Sequence, residues 1–395
     1  MSWDIKDVFA RRLEFVQLAG AGGMTMAALC RRFGISRKTG YKWLTRFRSD
    51  GQQGLHDLAR RPRRRANQVP VAVERRVVSL RRKNPTWGPR KLHRRLQDLG
   101  EALLPGVSTF ARILKRRHCI EPRQSAAHQP VRRFVREHPN ELWQMDFKGD
   151  FALQRGGRCH ALTVLDDCSR YLVGLSACGN QLTDTVQQRL ERIFGLYGLP
   201  ECILCDNGPP WAAGGPRHTF LTVWLLRLGV RVIHGRPHHP QTQGKDERFH
   251  RTLQGDLLAR HDWPDLTRTQ RRFDAYRRLY NHDRPHEALH LDVPAKHYRP
   301  SPRGLPAHLP IAEYSSGELV RTVKQKGEIT FRNRFFYVGT AFAGLPVAIR
   351  PHSAPGCYRV CYAAFTLGQI DLRHSTSQPK GNYHLLLPTD PMCYP

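Results

Sequence analysis

Acidic side chains stand at three places in this chain where their neighbours make them conspicuous. Asp146 sits among Trp143, Met145 and Phe147 in a run that otherwise asks for burial, Asp206 closes the apolar stretch "ECILCD", and Glu247 follows "HHPQTQGKD" and opens a helical stretch. A carboxylate in a core strand is costly unless it is paired, and a metal ion is the natural partner. Mg²⁺ takes oxygen ligands and keeps several waters, so a few carboxylates suffice and no Cys or His is required. The chemistry open to such a set is the cutting or transfer of a phosphodiester. Two divalent ions roughly 3.5–4 Å apart activate a water or 3′-hydroxyl and stabilise the charge of the pentacovalent transition state. Glu247 also suits the positive end of a helix dipole. Asp150, Asp166, Asp167 and Asp246 are rival carboxylates, of which Asp166 and Asp167 fit better as shapers of the turn before "SRYLVG".

The charge balance says which polymer such a site would meet. Lys and Arg number 64 against 33 Asp and Glu, a net charge of +31. Residues 1–140 alone carry 32 basic and 10 acidic side chains, so the excess is concentrated at the N-terminal end. A surface of this kind seeks a polyanion. No apolar run approaches the roughly 20 residues of a bilayer span, which leaves nucleic acid rather than a membrane. The first thirty residues include Asp4, Asp7 and Glu14 and lack an apolar signal core, so a cytoplasmic location is expected. Ten scattered Cys residues read as reduced thiols. Cys202 and Cys205 have metal-finger spacing, but they lie in a strand-like run where residues three apart face opposite sides, and no second pair accompanies them. His234, His238 and His239 form a conceivable metal cluster, better placed as a loop beside bound DNA.

The elements that must carry these residues follow from periodicity. Within residues 1–60, a helix around Leu13, Val16 and Leu18 and a second over "TMAALCRRF" precede a tight "GIS" turn, and Ser36 stands where an N-cap belongs. The stretch "SRKTGYKWLTRFR" then forms a helix-turn-helix recognition helix offering Arg37, Lys38, Thr39 and Lys42 to a DNA groove. A basic linker over 61–70 contains Arg63, Arg64 and Arg65, which phosphates would order. A second helical DNA-binding domain spans 71–120, with Ser108 as a further N-cap and Ser108, Thr109 and Lys115 toward DNA. Residues 121–140 are a connector. Residues 141–300 read as two hairpin-linked strands followed by helix, strand, helix and strand, with trailing helices: the order of the ribonuclease H fold. Alternation in "EITFRNRFFYVG", "LPVAIRP" and "GCYRVCYAAF" predicts a small β-barrel over 311–395. The fold class is multidomain α+β. Three, four and seven residues on from Glu247, His250, Arg251 and Gln254 share a helical face with it.

The motifs "WQMDFKGD", "CDNGPP" and "HPQTQGKDERFHRTL" resemble the three catalytic blocks of bacterial insertion-sequence transposases of the DDE superfamily, whose core is of the retroviral-integrase type. The order of modules resembles that family as well, over nearly the whole chain. The resemblance implies that Asp146, Asp206 and Glu247 are a metal-binding triad for two Mg²⁺ ions, with Mn²⁺ able to substitute. It implies that the face of His250, Arg251 and Gln254 meets the DNA end, with Lys245 a further DNA contact, and that the protein works as a homodimer or larger synaptic assembly on double-stranded DNA at the bacterial nucleoid. Asp206 and Glu247 are 41 positions apart, longer than is usual, and "PPWAAGGPRHT" reads as the insertion that absorbs the difference. A DNA-binding regulator derived from such an enzyme would not need the intact triad. A hydrolytic nuclease of the same fold would need neither the tandem DNA-binding modules nor the C-terminal domain.

Overall fold

The computed structural model describes residues 8–57, 69–120, 136–211, 218–234, 244–373 and 383–385. Arg63, Arg64, Arg65, His238 and His239 lie outside the described residues. The chain divides at Pro70 into two compact units.

The first unit contains α1 (Val8–Gly20), α2 (Met26–Arg32) and α3 (Arg37–Asp50). Gly34 takes a left-handed φ of 65° in the turn between α2 and α3, and the Ser36 hydroxyl accepts from the Thr39 amide as the N-cap of α3. Phe15, Val16, Leu29, Cys30, Trp43, Leu44 and Leu55 form the core. Glycine is a poor helix former, yet Gly40 lies inside α3 for a packing reason: a Cβ there would come 2.7 Å from Cys30 Sγ and 2.9 Å from Phe15 Cζ. The backbones can approach only where no side chain intervenes.

The second unit opens with α4 (Val71–Lys83), α5 (Pro89–Asp98) and α6 (Val107–Arg116), packed around Val77, Trp87, Leu92, Phe110 and Ile113. The extended Gly106, rather than Ser108, is the N-cap of α6, so Ser108 falls inside the first turn and caps nothing. This helical group is not free-standing. Arg94 bonds Asp292 at 2.5 Å, Arg95 bonds Asp283 and Thr86 bonds Asp256, so these side chains fasten it to the segment that follows the five-stranded sheet.

The sheet is formed by β1 (Leu142–Ala152), β2 (Arg158–Asp166), β3 (Leu172–Cys178), β4 (Cys202–Cys205) and β5 (Arg231–His234), in the order β3-β2-β1-β4-β5. The first three are antiparallel and β4 and β5 run parallel to β1. Three antiparallel strands thus stand where two hairpin-linked strands were expected: Arg170 takes a left-handed φ of 61° in the turn between β2 and β3, and Asp166 accepts from Ser169 N and Oγ there. Side chains alternate across the sheet as strand geometry requires. Trp143, Met145, Leu162 and Val164 pack on α7 (Thr183–Tyr197) and α8 (Phe220–Arg227). Ala161, Leu165, Leu172 and Leu175 pack on α9 (Gly244–Asp256) and α10 (Leu266–His282), against Phe249, Leu253, Phe273 and Tyr280. Each fully buried large apolar side chain contributes about 1.5–3 kcal/mol relative to exposure. Burial on both faces, more than any polar contact, therefore holds the frame that carries the site.

Beyond the sheet, β6 (Leu319–Thr322), β7 (Glu328–Phe331), β8 (Arg334–Tyr337), β9 (Pro346–Pro351), β10 (Cys357–Tyr362), β11 (Phe365–Asp371) and β12 (Tyr383–His384) form two sheets, ordered β11-β10-β9-β6 and β12-β8-β7. Among the described residues both are open, where a closed barrel was expected. Part of their inner surface is covered by α8, whose Val223 and Leu226 join Ile329, Phe342, Val347 and Val360 in one cluster. No helix among the described residues is long and apolar enough to cross a membrane.

Candidate active site

Sheet alternation places the first carboxylate. With Trp143 and Met145 directed at α7 and α8, Gln144 and Asp146 turn to the opposite face, toward α9. The parallel register of β1 and β4 ends at Gln144 opposite Leu204, and two residues further on it brings Asp146 level with Asp206. The two acids thus lie side by side just past the paired stretch of β1 and β4, Asp146 within β1 and Asp206 one residue beyond β4. Asp146 accepts from the Phe147 amide at 2.7 Å. Asp206 accepts from the Gly208 amide at 3.1 Å, and its carbonyl meets His234 Nδ1 at 3.0 Å. His234 therefore braces the second acid from behind. Trp211, at the start of the supposed insertion, is buried and stacks on Phe147 of β1 with ring centroids 5.8 Å apart. Burial, and then the nearby charge of Asp206, push the Asp146 carboxyl up to about 6.

Three of the four rival acids are occupied elsewhere. Asp150 pairs with Arg158 at the far end of the hairpin, and Asp166 holds the β2–β3 turn. Asp167, fully buried, accepts from Gln144 Nε2 at 2.7 Å and pairs with Lys245 Nζ at 2.5 Å. Lys245, expected at DNA, points inward and ties the start of α9 to the sheet.

Helix α9 divides its residues sharply. Asp246, Phe249, His250 and Leu253 face the sheet, whereas Glu247, Arg251 and Gln254 face outward. Glu247 pairs with Arg251 at 3.1 Å, with side chains 65% and 64% exposed. The carboxylate that α9 turns toward Asp146 is thus Asp246, and His250 leaves the outward face to which its spacing had assigned it. His250 Nε2 lies 2.9 Å from the hydroxyl of Thr163, the residue directly opposite Asp146 on β2, and Nδ1 lies 3.8 Å from Asp146 Oδ2. Burial, reinforced by Lys148, lowers the imidazole to about 4, so it is neutral at physiological pH. Thr163 carried no signal in the sequence beyond its place in a buried strand.

On the first unit, Arg37, Lys38 and Lys42 are exposed along α3, while Thr39 is half-buried and bonds Ser36. Tyr41, 57% exposed among them, was missed, though its place between Lys38 and Lys42 marks the same stripe. On α6, Ser108 and Lys115 are exposed, and Thr109 accepts from Arg112 at 3.3 Å.

Family profiles match along most of this architecture. A helix-turn-helix domain covers residues 11–65, a homeodomain-like domain 39–114, integrase core domains 136–240 and 228–294, and the C-terminal domain of IS481 family transposases 318–378. Together these matches support an insertion-sequence transposase with an integrase-type core. The transposase is 26% identical over 280 residues to an uncharacterized 39.2 kDa protein of insertion element IS476 from Xanthomonas euvesicatoria, covering 69% of this chain and 78% of that one. It is 28% identical over 158 residues to a 31.7 kDa protein of IS407 from Burkholderia multivorans, covering 40% of this chain and 55% of that one. Among solved structures, a simian T-cell lymphotropic virus intasome matches at 15% identity and a TM-score of 0.35, covering 73% of this chain and 97% of that one. The HTLV-2 integrase catalytic core in complex with magnesium matches at 14% and 0.31, covering 41% and 97%.

Proposed function

We propose that this transposase binds the terminal inverted repeats of its element, hydrolyses a phosphodiester at the element end, and joins the freed 3′-hydroxyl to target DNA. In the first step water adds to phosphorus and the bond to the 3′-oxygen breaks. In the second, the 3′-hydroxyl attacks a target phosphodiester and displaces that strand's 3′-oxygen, so the number of phosphodiester bonds is conserved. Asp146, Asp206 and Glu247 are the residues assigned to hold two Mg²⁺ ions, for which Mn²⁺ substitutes. Such ions supply activation of the attacking hydroxyl and neutralisation of charge at phosphorus. The fit rests on donor chemistry: continued two residues past its last pair, the register of β1 and β4 brings Asp146 level with Asp206, and both offer carboxylate oxygens, as a hard cation requires.

Glu247 faces outward in the structure, one residue from Asp246. Adjacent helical residues differ by about 100° in direction, so Glu247 reaches the strand ends when the first turn of α9 rotates by one position. Arg251, a turn further on, is the candidate contact for a phosphate beside the scissile bond, and Gln254 extends the same face. Arg37, Lys38 and Lys42 of α3, together with Ser108 and Lys115 of α6, are the candidate contacts for the repeat. Holding two ends at once calls for a homodimer or larger assembly, and the DNA substrate places the protein at the nucleoid of a bacterial cytoplasm.

The observation that carries this reading is the level pairing of Asp146 with Asp206. Asp146→Asn and Asp206→Asn keep side-chain size and remove one ligating charge each. Both variants are expected to lose cleavage of an end oligonucleotide by more than 10³-fold while binding it within a few-fold of wild type. Cleavage surviving in either would remove that residue from the site.

A further inference from the structure

The inner face of α9 carries a donor set that the reading above does not use. Asp246 is 2% exposed, and among the described residues its nearest polar neighbours are the Thr163 hydroxyl at 3.5 Å and His250 Nε2 at 3.7 Å. Neither is a full-strength bond. The Thr163 hydroxyl lies 3.0 Å from the Asp146 carbonyl and 2.9 Å from His250 Nε2. When Thr163 donates to the carbonyl and accepts from Nε2–H, the other nitrogen, Nδ1, keeps its lone pair and lies 3.8 Å from Asp146 Oδ2. A hydrogen bond on one imidazole nitrogen that frees the other for a metal is a recurrent arrangement of ligating histidines. One ligand atom from each of Asp146, Asp246 and His250 lies within 4.8 Å of the others. A buried carboxylate with only weak hydrogen bonds calls for a counter-charge.

We propose that Asp146, Asp246 and His250 form a divalent-cation site that takes a transition-metal ion of the Zn²⁺ class in preference to Mg²⁺. The imidazole sets the preference, because nitrogen donors favour the later first-row ions, while Mg²⁺ prefers all-oxygen surroundings. The site shares Asp146 with the proposed triad but owes nothing to Glu247. The two sets are therefore alternatives: an ion bridging Asp146 and Asp246 holds α9 in the position that leaves Glu247 in solvent. Occupancy by such an ion opposes the Mg²⁺-loaded arrangement.

The test uses Co²⁺ as a spectroscopic probe on the full chain, with absorbance as readout. Co²⁺ is expected to give a visible band that a hundredfold excess of Mg²⁺ does not abolish. Asp246→Asn and His250→Gln should each weaken Co²⁺ binding at least tenfold, and Glu247→Gln should leave it within twofold. Asp246→Asn removes a buried charge without changing shape, so it decides the matter even if His250→Gln fails to fold. Wild-type Co²⁺ affinity in Asp246→Asn, or loss of binding in Glu247→Gln, overturns the site. Strand transfer in Mg²⁺, assayed alongside, reports on the triad separately: a Glu247→Gln protein that still joins DNA refutes the triad and leaves the Co²⁺ result standing.

Discussion

Asp146 is the residue on which burial and charge act most directly. Its carboxyl is pushed up to about 6 by burial and by Asp206, above the value near 3.9 of an unfolded aspartate. The fold thus favours the neutral form. Asp146's contribution to stability is present at acid pH and is lost as pH rises through about 6. Binding of an ion reverses this preference, since the ligand must be ionised. Mg²⁺ or Mn²⁺ should therefore raise Tm more at about pH 7.5 than at about pH 5, where a proton must first be displaced. Equal increments at the two values would show that Asp146 is not a ligand. That a carboxylate at 146 needed a partner could be read from Trp143, Met145 and Phe147 around it. That Asp246 rather than Glu247 turns inward could not: the two are neighbours at the start of a helix, and the direction of each depends on how Phe249 and Leu253 seat against the sheet.

At the scale of elements, α9 is set by its anchor. Lys245 pairs with the fully buried Asp167 at 2.5 Å, and removing one partner of a buried pair leaves the other charge uncompensated. Lys245→Ala is expected to cost about 3–5 kcal/mol in urea unfolding. A lysine that merely touched DNA would leave stability unchanged and lower only the affinity for DNA, and that outcome would return Lys245 to the DNA face. Several elements were legible because their signals are local. The Ser36 cap, the 3.6-residue stripe of α3 and the alternation of β1 each depend on a few adjacent residues. The misplaced cap at Ser108 and the expected barrel depended on what is not local. Gly106 could take the extended cap conformation first, and alternation predicts strands without stating whether their sheet closes.

At the scale of the molecule, charge and architecture act together. The net charge of +31 is weighted toward the helical N-terminal third, yet part of that charge is spent internally, on Asp292 and Asp283 by Arg94 and Arg95. The exposed basic stripe of α3 is not. Each phosphate contact contributes about 0.9 to the slope of log affinity against log salt. An Arg37→Ala, Lys38→Ala double variant should therefore flatten that slope by about 2 for end DNA, with thermal stability unchanged because both side chains are exposed. An unaltered slope would place the repeat elsewhere. That helix-turn-helix modules precede an integrase-type core was legible in the sequence. The docking of α4 to α6 on the segment after the sheet was not, because it rests on pairs such as Arg94 and Asp292, almost two hundred residues apart.

The most direct test of the proposed triad concerns its outward-facing member. The rate at which the full-length protein joins a pre-cut element-end oligonucleotide to target DNA in Mg²⁺ should be measured for Glu247→Gln beside wild type, at matched end occupancy. Joining should fall by more than 10³-fold, with end affinity within twofold. Wild-type joining by Glu247→Gln, together with its loss in Asp246→Asn, would contradict the triad of Asp146, Asp206 and Glu247 and put Asp246 in its place.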